Sequence, residues 1–216
     1  MTGWDFGSAT AVINSTWSLA QKEAEEIKRT YTSSSRNMSA KARITEARRD
    51  IEMAKAPALI AAVKRKISEG WCCVVFVSFS ATREYLEKQL NAPSIHGQQS
   101  VEEREAARLS FQADAPVIVV NLQAGGAALS LHDITGNRPR WSFCQPSWSS
   151  KMMIQSTYRT CRATGKSDSI WELVTALGTV EDIVLKRCRD KIENLSELND
   201  NDLSEEPWET EEEIEE

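Results

Sequence analysis

Four residues between positions 153 and 166 have the types and spacing to handle a phosphate: Gln155, Arg159, Arg162 and Gly165. Arginine carries a permanent charge and a planar fork that matches phosphate oxygens. If 149–162 is one helix, residues three apart share a face, and Arg159 and Arg162 stand one above the other. Two guanidiniums on one face repel unless an anion sits between them, which predicts a helix-borne phosphate clamp; a solvated basic helix end is the alternative. Ser78 and Ser80 leave the apolar run 72–79. Hydroxyls at a strand end and helix start can donate to a phosphate, or simply cap the helix. Gly125 and Gly126 follow a second apolar run, 116–121. Paired glycines there let the backbone approach another group closely, or make a tight turn.

These residues need a scaffold, and the periodicity of the chain predicts one. The runs 72–79 and 116–121 are continuous and β-branched, as expected of strands buried on both faces in a parallel sheet. Shorter strands are expected at 94–96, 141–144 and 169–175. Helices are expected within 10–30, ended by Ser33-Ser34-Ser35, and from 38 to 70, with Ile44, Ala47, Ile51 and Ala54 on one face. Pro57 is expected in the first turn of a separate helix, where its missing N–H costs little, and Gly70 ends that helix. Ser80 is expected to cap the next helix. Ser100 and Glu103 form a capping box for a helix running to about 111. Further helices are expected at 149–162 and 179–192. Strand and helix alternate as in right-handed βαβ units, so the expected fold is a doubly wound α/β domain with a parallel sheet sandwiched by helices.

The totals fit one soluble domain. At 216 residues, with 41% hydrophobic and 27% charged, the chain can bury one sizeable core. Its five cysteines have no paired spacing and two sit side by side, so Cys72 and Cys73 are read as small core residues. Two histidines and no C-x-x-C argue against a metal site, and none is expected. With no leader pattern and no long apolar run, an intracellular protein without a membrane span is expected. The net charge of −6 hides an asymmetry: residues 197–216 hold 11 acidic residues and no basic ones, leaving 21 acidic against 26 basic in 1–196. A mildly basic body and an acidic, disordered tail are expected, the body meeting a polyanion.

The order of segments also carries a resemblance. Gln155, Arg159, Arg162 and Gly165 resemble motif VI of superfamily 2 helicases, Q-x-x-G-R-x-x-R-x-G-Q, with Tyr158 where glycine is usual and Lys166 where glutamine is usual. The segment 121–131 resembles motif V of the Swi/Snf-like group, A-G-G-x-G-L-N-L, with Ala128 and Ser130 replacing a glycine and the asparagine. Ile95-His96-Gly97, Arg104 and Phe111 match the G…R…F segment before motif V, and Pro146-Ser147-Trp148 matches a position where an aromatic is common. The segments 170–174 and 179–183 match the strand and T-x-E-x-x-I helix that follow motif VI. Arg49-Asp50-Ile51-Glu52-Met53-Ala54-Lys55 resembles a stretch before motif IV in phage and strawberry-notch-like helicases. The resemblance covers about 46–192 and implies three regions: a helical N-terminal extension (1–45), a helicase C-terminal RecA-like domain (46–195) and the acidic tail (196–216).

In that family the motif VI arginines act as fingers on ATP held between two lobes. The resemblance therefore implies catalytic roles for Arg159, Arg162 and Gln155, nucleotide binding by Gly125, Gly126 and the two arginines, and nucleic-acid contacts by Ser78, Gly97, Asn121 and Gln123. The implied cofactors are ATP and Mg2+, and the implied polymer is DNA. Gly165-Lys166-Ser167 mimics the end of a phosphate-binding P-loop, but Thr160 stands where that loop needs glycine, and the stretch follows a helix instead of a strand. With no complete P-loop and no strand-end Asp-Glu pair, an ATPase site is incomplete. A first lobe is expected on another chain or lost by truncation. The alternatives are a catalytically silent lobe that binds nucleic acid or a partner, and an unrelated nucleotide-binding α/β domain.

Overall fold

Six helices and five strands make up the computed structural model, which describes residues 4–30, 33–124 and 129–194. Helix α1 spans Ser8–Thr30 and α2 Ser33–Ser68; then follow β1 (Cys72–Val77), α3 (Ser80–Leu90), β2 (Ser94–Ile95), α4 (Val101–Ala113) and β3 (Val117–Asn121). After a 3-10 turn at Leu122–Ala124 come β4 (Arg140–Cys144), α5 (Ser150–Thr160), β5 (Ser169–Leu173) and α6 (Glu181–Asn194). All strand pairs are parallel, in the order β2-β3-β1-β4-β5. The expected helix-sandwiched parallel sheet is thus present, and the acidic tail lies outside the described residues.

Every residue of β1 and β3 is buried, because both faces of the sheet are covered. Cys73, Val75, Val77, Val119 and Phe143 face one layer, packing with Ile13 of α1, Ile51, Leu59 and Val63 of α2 and Leu86 of α3. Val74, Phe76, Ile118, Val120 and Cys144 face the other, with Phe111 of α4, Met153 of α5, and Val184 and Leu185 of α6. Fully burying one such side chain stabilises the fold by roughly 1.5–3 kcal/mol. Among the described residues no helix is long and apolar enough to cross a membrane.

The N-terminal stretch is built into this body. Trp4 forms a parallel bridge to Ala176, with its N–H donating to Thr175 O at 2.6 Å and its carbonyl accepting from Leu177 N–H at 3.0 Å. Its indole N–H reaches Glu172 Oε1 at 2.7 Å. A short extra segment thereby covers the sheet at its β5 side. The boundary expected at 45/46 falls inside α2.

Three local expectations are corrected. Pro57 does not open a separate helix; it lies inside the continuous α2. An internal proline costs about 3 kcal/mol, but Ala56, Leu59 and Val63 around it are buried against the sheet and hold the helix through it. Ser80 does not cap α3: the N-cap is Phe79, with no side-chain cap bond. The buried carboxylate of Glu52 instead accepts from Ser78 N–H at 2.9 Å and Phe79 N–H at 3.1 Å. Finally, α5 ends at Thr160, and Cys161 is extended (φ −100°, ψ 96°). By contrast, the Ser100–Glu103 capping box is fully formed, and Gly70 ends α2 in the left-handed region at φ 92°.

Candidate functional site

The early end of α5 separates the two arginines that sequence spacing had stacked. Arg159 lies on the helix and is 6% exposed; burial lowers its pKa from the ordinary value. Arg162 lies beyond the helix and is exposed, its Nε donating to Tyr158 O at 2.8 Å. That bond uses one donor of the fork. Gln155 and Tyr158 are exposed on α5, Tyr158 at 65%. A same-face phosphate clamp on one helix is therefore not what the chain builds. Glu172 accepts from the indole N–H groups of Trp4 and Trp141.

The strand ends form a second group. Ser78, Asn121 and Gly97 follow the neighbouring strands β1, β3 and β2. Asn121 is buried and works internally: its Nδ2 donates to Ser78 O at 3.4 Å, and its Oδ1 accepts from Gln123 N–H at 3.0 Å. Ser78 N–H is taken by Glu52, so that backbone donor faces inward. Gln123 and Gly97 are exposed, and Arg104 donates to Gly97 O at 2.9 Å. Gly125 and Gly126 lie outside the described residues.

Beside the end of β1 sits a small cavity of about 20 Å³, lined by Trp17, Arg48, Glu52, Phe79, Trp148 and Glu181 among others. That is room for about one water. Trp17 stacks on Trp148 at 5.9 Å, and the Arg48 guanidinium lies 5.6 Å from the Trp148 ring and 5.9 Å from that of Phe79. Burial pushes Arg48 down to about 10, against the opposing pull of Glu52. Burial also raises the Glu52 carboxyl, with the Ser78 and Phe79 N–H groups working the other way. Deeper still, Lys55 is fully buried and bonds Glu181 Oε1 at 2.5 Å and Val174 O at 3.0 Å.

Sequence reasoning assigned no role to Glu52, Lys55 or Arg140. A signal existed for the first two: Arg48, Glu52, Lys55 and Leu59 recur at helical spacing on one face of α2. Arg140, 1% exposed, opens β4 and bonds Leu131 O at 2.9 Å and Gln112 Oε1 at 2.8 Å. Its guanidinium stands 4.4 Å over the Phe111 ring. Asp133 lies in the connection between β3 and β4. Burial works to raise its carboxyl, but bonds from the Thr135 N–H and hydroxyl and the Arg138 N–H prevail and hold it well below the usual carboxylate range.

Residues 54–164, just over half of the chain, match the family described as Helicase conserved C-terminal domain. A putative ATP-dependent RNA helicase of Acanthamoeba polyphaga mimivirus is 28% identical over 165 residues, covering 75% of this chain. The chain spans less than a third of that relative's length, 31%. Among solved structures, the Sulfolobus solfataricus SWI2/SNF2 ATPase core domain superposes with a TM-score of 0.58 at 18% identity, over 89% of this chain and 43% of that one. The C-terminal domain of the same ATPase gives 0.56 at 16% identity, over 88% and 91%. At such identities the likeness is one of fold.

Proposed function

Because the chain belongs to the helicase conserved C-terminal domain family, as a superfamily 2 C-terminal RecA-like lobe, we propose that it works as the second half of an ATP-driven motor on nucleic acid. In this reading the nucleotide sits between this lobe and a first lobe that supplies the phosphate cradle and the magnesium ligands. ATP supplies a phosphoryl group whose transfer to water drives the cycle. Arg162 would hold that group, its fork stabilising the charge that spreads over the phosphoryl oxygens. Arg159, buried at the end of α5, is the second arginine proposed to act on that charge, and Gln155 on the exposed face of the same helix would help orient the bound nucleotide. Gly125 and Gly126 would bring the backbone near the phosphates. Ser78, Gly97, Asn121 and Gln123 mark the ends of β1, β2 and β3, the side proposed to meet the nucleic-acid backbone, with DNA as the favoured polymer.

The observation that carries this reading is the exposed Arg162 on a short loop directly after a helix whose preceding arginine is buried. A guanidinium so placed is open to a phosphate from outside the chain. The fit extends to ATP phosphates but not to the metal: among the described residues no group of three or more His, Cys, Asp or Glu could hold an ion. The second reading, a catalytically silent lobe that binds nucleic acid or a partner, is favoured by Tyr158, a large exposed side chain where the family motif has glycine.

The test is ATP turnover with single-stranded DNA, duplex DNA and RNA as stimulants. The chain by itself is expected to show none. With a first lobe added in trans, magnesium-dependent turnover stimulated most by DNA is expected. Turnover by the highly purified chain alone would refute the half-site reading, and none with any first lobe that binds it would favour the silent lobe.

A further inference from the structure

Arg162 stands outside α5, so the helix does not set its direction; something else must. The segment 131–136 runs alongside the last turn of α5 and the loop 161–168, and hydrogen bonds join it to both. Leu131 N–H donates to Arg159 O at 2.8 Å, and Lys166 N–H donates to Asp133 O at 3.0 Å. Between these, His132 Nε2 and Thr164 Oγ1 lie 3.2 Å apart. The loop then folds back on itself, Gly165 N–H donating to Arg162 O at 2.9 Å. A Cβ on Gly165 would stand 3.1 Å from Arg162 O, a tight approach inside the loop's own turn, and 3.9 Å from His132 Cβ, an ordinary van der Waals contact with the other segment.

The His132 side of this contact is anchored from behind. Its carbonyl accepts from Gln112 Nε2 at 3.0 Å, and Gln112 Oε1 in turn accepts from the buried Arg140. His132 itself is buried, whereas Thr164 and Arg162 are exposed. One partner is thus fixed in the core and the other rides on the arginine's loop.

We propose that His132 and Thr164 form a latch that positions the loop bearing Arg162, which makes His132 a positioning residue for that arginine and ties its placement to the segment following β3. The functional consequence rests on the reading of Arg162 as a phosphate-contacting group; the latch itself does not.

The test therefore uses no nucleotide. In the 15N-labelled full chain, the Arg162 Nε–H signal, assigned by its loss in Arg162→Lys, reports the bond to Tyr158 O. Thr164→Val removes the hydroxyl at constant shape, and Thr164→Ser keeps it. In Thr164→Val the Nε proton is expected to exchange with water roughly threefold to tenfold faster, the effect of losing one neutral hydrogen bond. Thr164→Ser is expected to behave as the parent, and backbone amides of β1 and β3 to be unchanged in both. His132→Ala should reproduce the valine variant, and if it fails to fold the Thr164 pair decides. Unchanged exchange in Thr164→Val, or equal acceleration in Thr164→Ser, would overturn the latch while leaving the role of Arg162 in turnover to be decided by the ATPase assay.

Discussion

The two arginines of the candidate site differ in burial, and burial dictates what each substitution should cost. Arg162→Ala removes an exposed side chain, so Tm should move by no more than a degree or two. Turnover with a first lobe should nevertheless fall by about 10³ or more, as for a lost arginine finger. Arg162→Lys should rescue little, because the planar fork is gone. Arg159→Ala instead empties a buried position and should cost roughly 1–3 kcal/mol of stability. An equal Tm loss with intact turnover for both variants would show that neither arginine meets the nucleotide. His132 carries a pH signature. Burial, then the cations Arg162 and Arg140, lower its pKa, with Asp133 opposing. The unfolded chain therefore takes up a proton at higher pH than the folded one. Stability present above the ordinary histidine value of about 6.5 should be lost as pH falls through and below it. Denaturant titrations from pH 8 to pH 5 check this, and His132→Asn should flatten the part of the profile near pH 6.

At the level of elements, α2 bears an internal cost that packing overrides. Pro57 leaves one helical hydrogen bond unmade, yet the helix runs unbroken from Ser33 to Ser68. Pro57→Ala should restore that bond and raise stability by about 1–3 kcal/mol, read as a higher Tm and urea midpoint. Unchanged or lower stability would refute the internal cost at this exposed position. The same helix carries Glu52 and Lys55, which replace a side-chain cap on α3 and tie α2 to α6. α2 therefore acts as the strut between the strand ends and the last helix.

For the whole molecule, the charge asymmetry of the sequence, basic before position 197 and acidic after it, predicts opposite contributions to polyanion binding. Affinity for nucleic acid should fall steeply with salt as counterions are released. Removing 197–216, with its 11 carboxylates and no cations, should strengthen binding at 50 mM salt by severalfold, since the tail competes for the same basic surface. Fluorescence anisotropy with labelled DNA and RNA checks this; equal affinity with and without the tail would show that it only solubilises the chain.

Much of this architecture was legible in the amino-acid order, because burial on both faces writes itself as unbroken apolar runs. The runs 72–79 and 116–121 read as strands buried on both faces, and the structure has them as Cys72–Val77 and Val117–Asn121. The Ser100–Glu103 box read as a helix start for a purely local reason, two hydrogen bonds across one turn. The segment order that resembles the superfamily 2 C-terminal lobe was also visible, and the family match bears it out. What the order of residues did not determine were features set by contacts far along the chain. The end of α5 at Thr160 is fixed by Leu131 taking the Arg159 carbonyl and by Ser169 taking the Thr160 carbonyl, so helical spacing placed Arg162 on a face it never reaches. Pro57 stays helical because the sheet beneath its neighbours outweighs a local penalty. Glu52 caps α3 from 27 positions before Phe79. Local pattern reports the free energy of one segment; where distant groups bid for the same backbone donor or acceptor, only the folded arrangement decides which of them holds it.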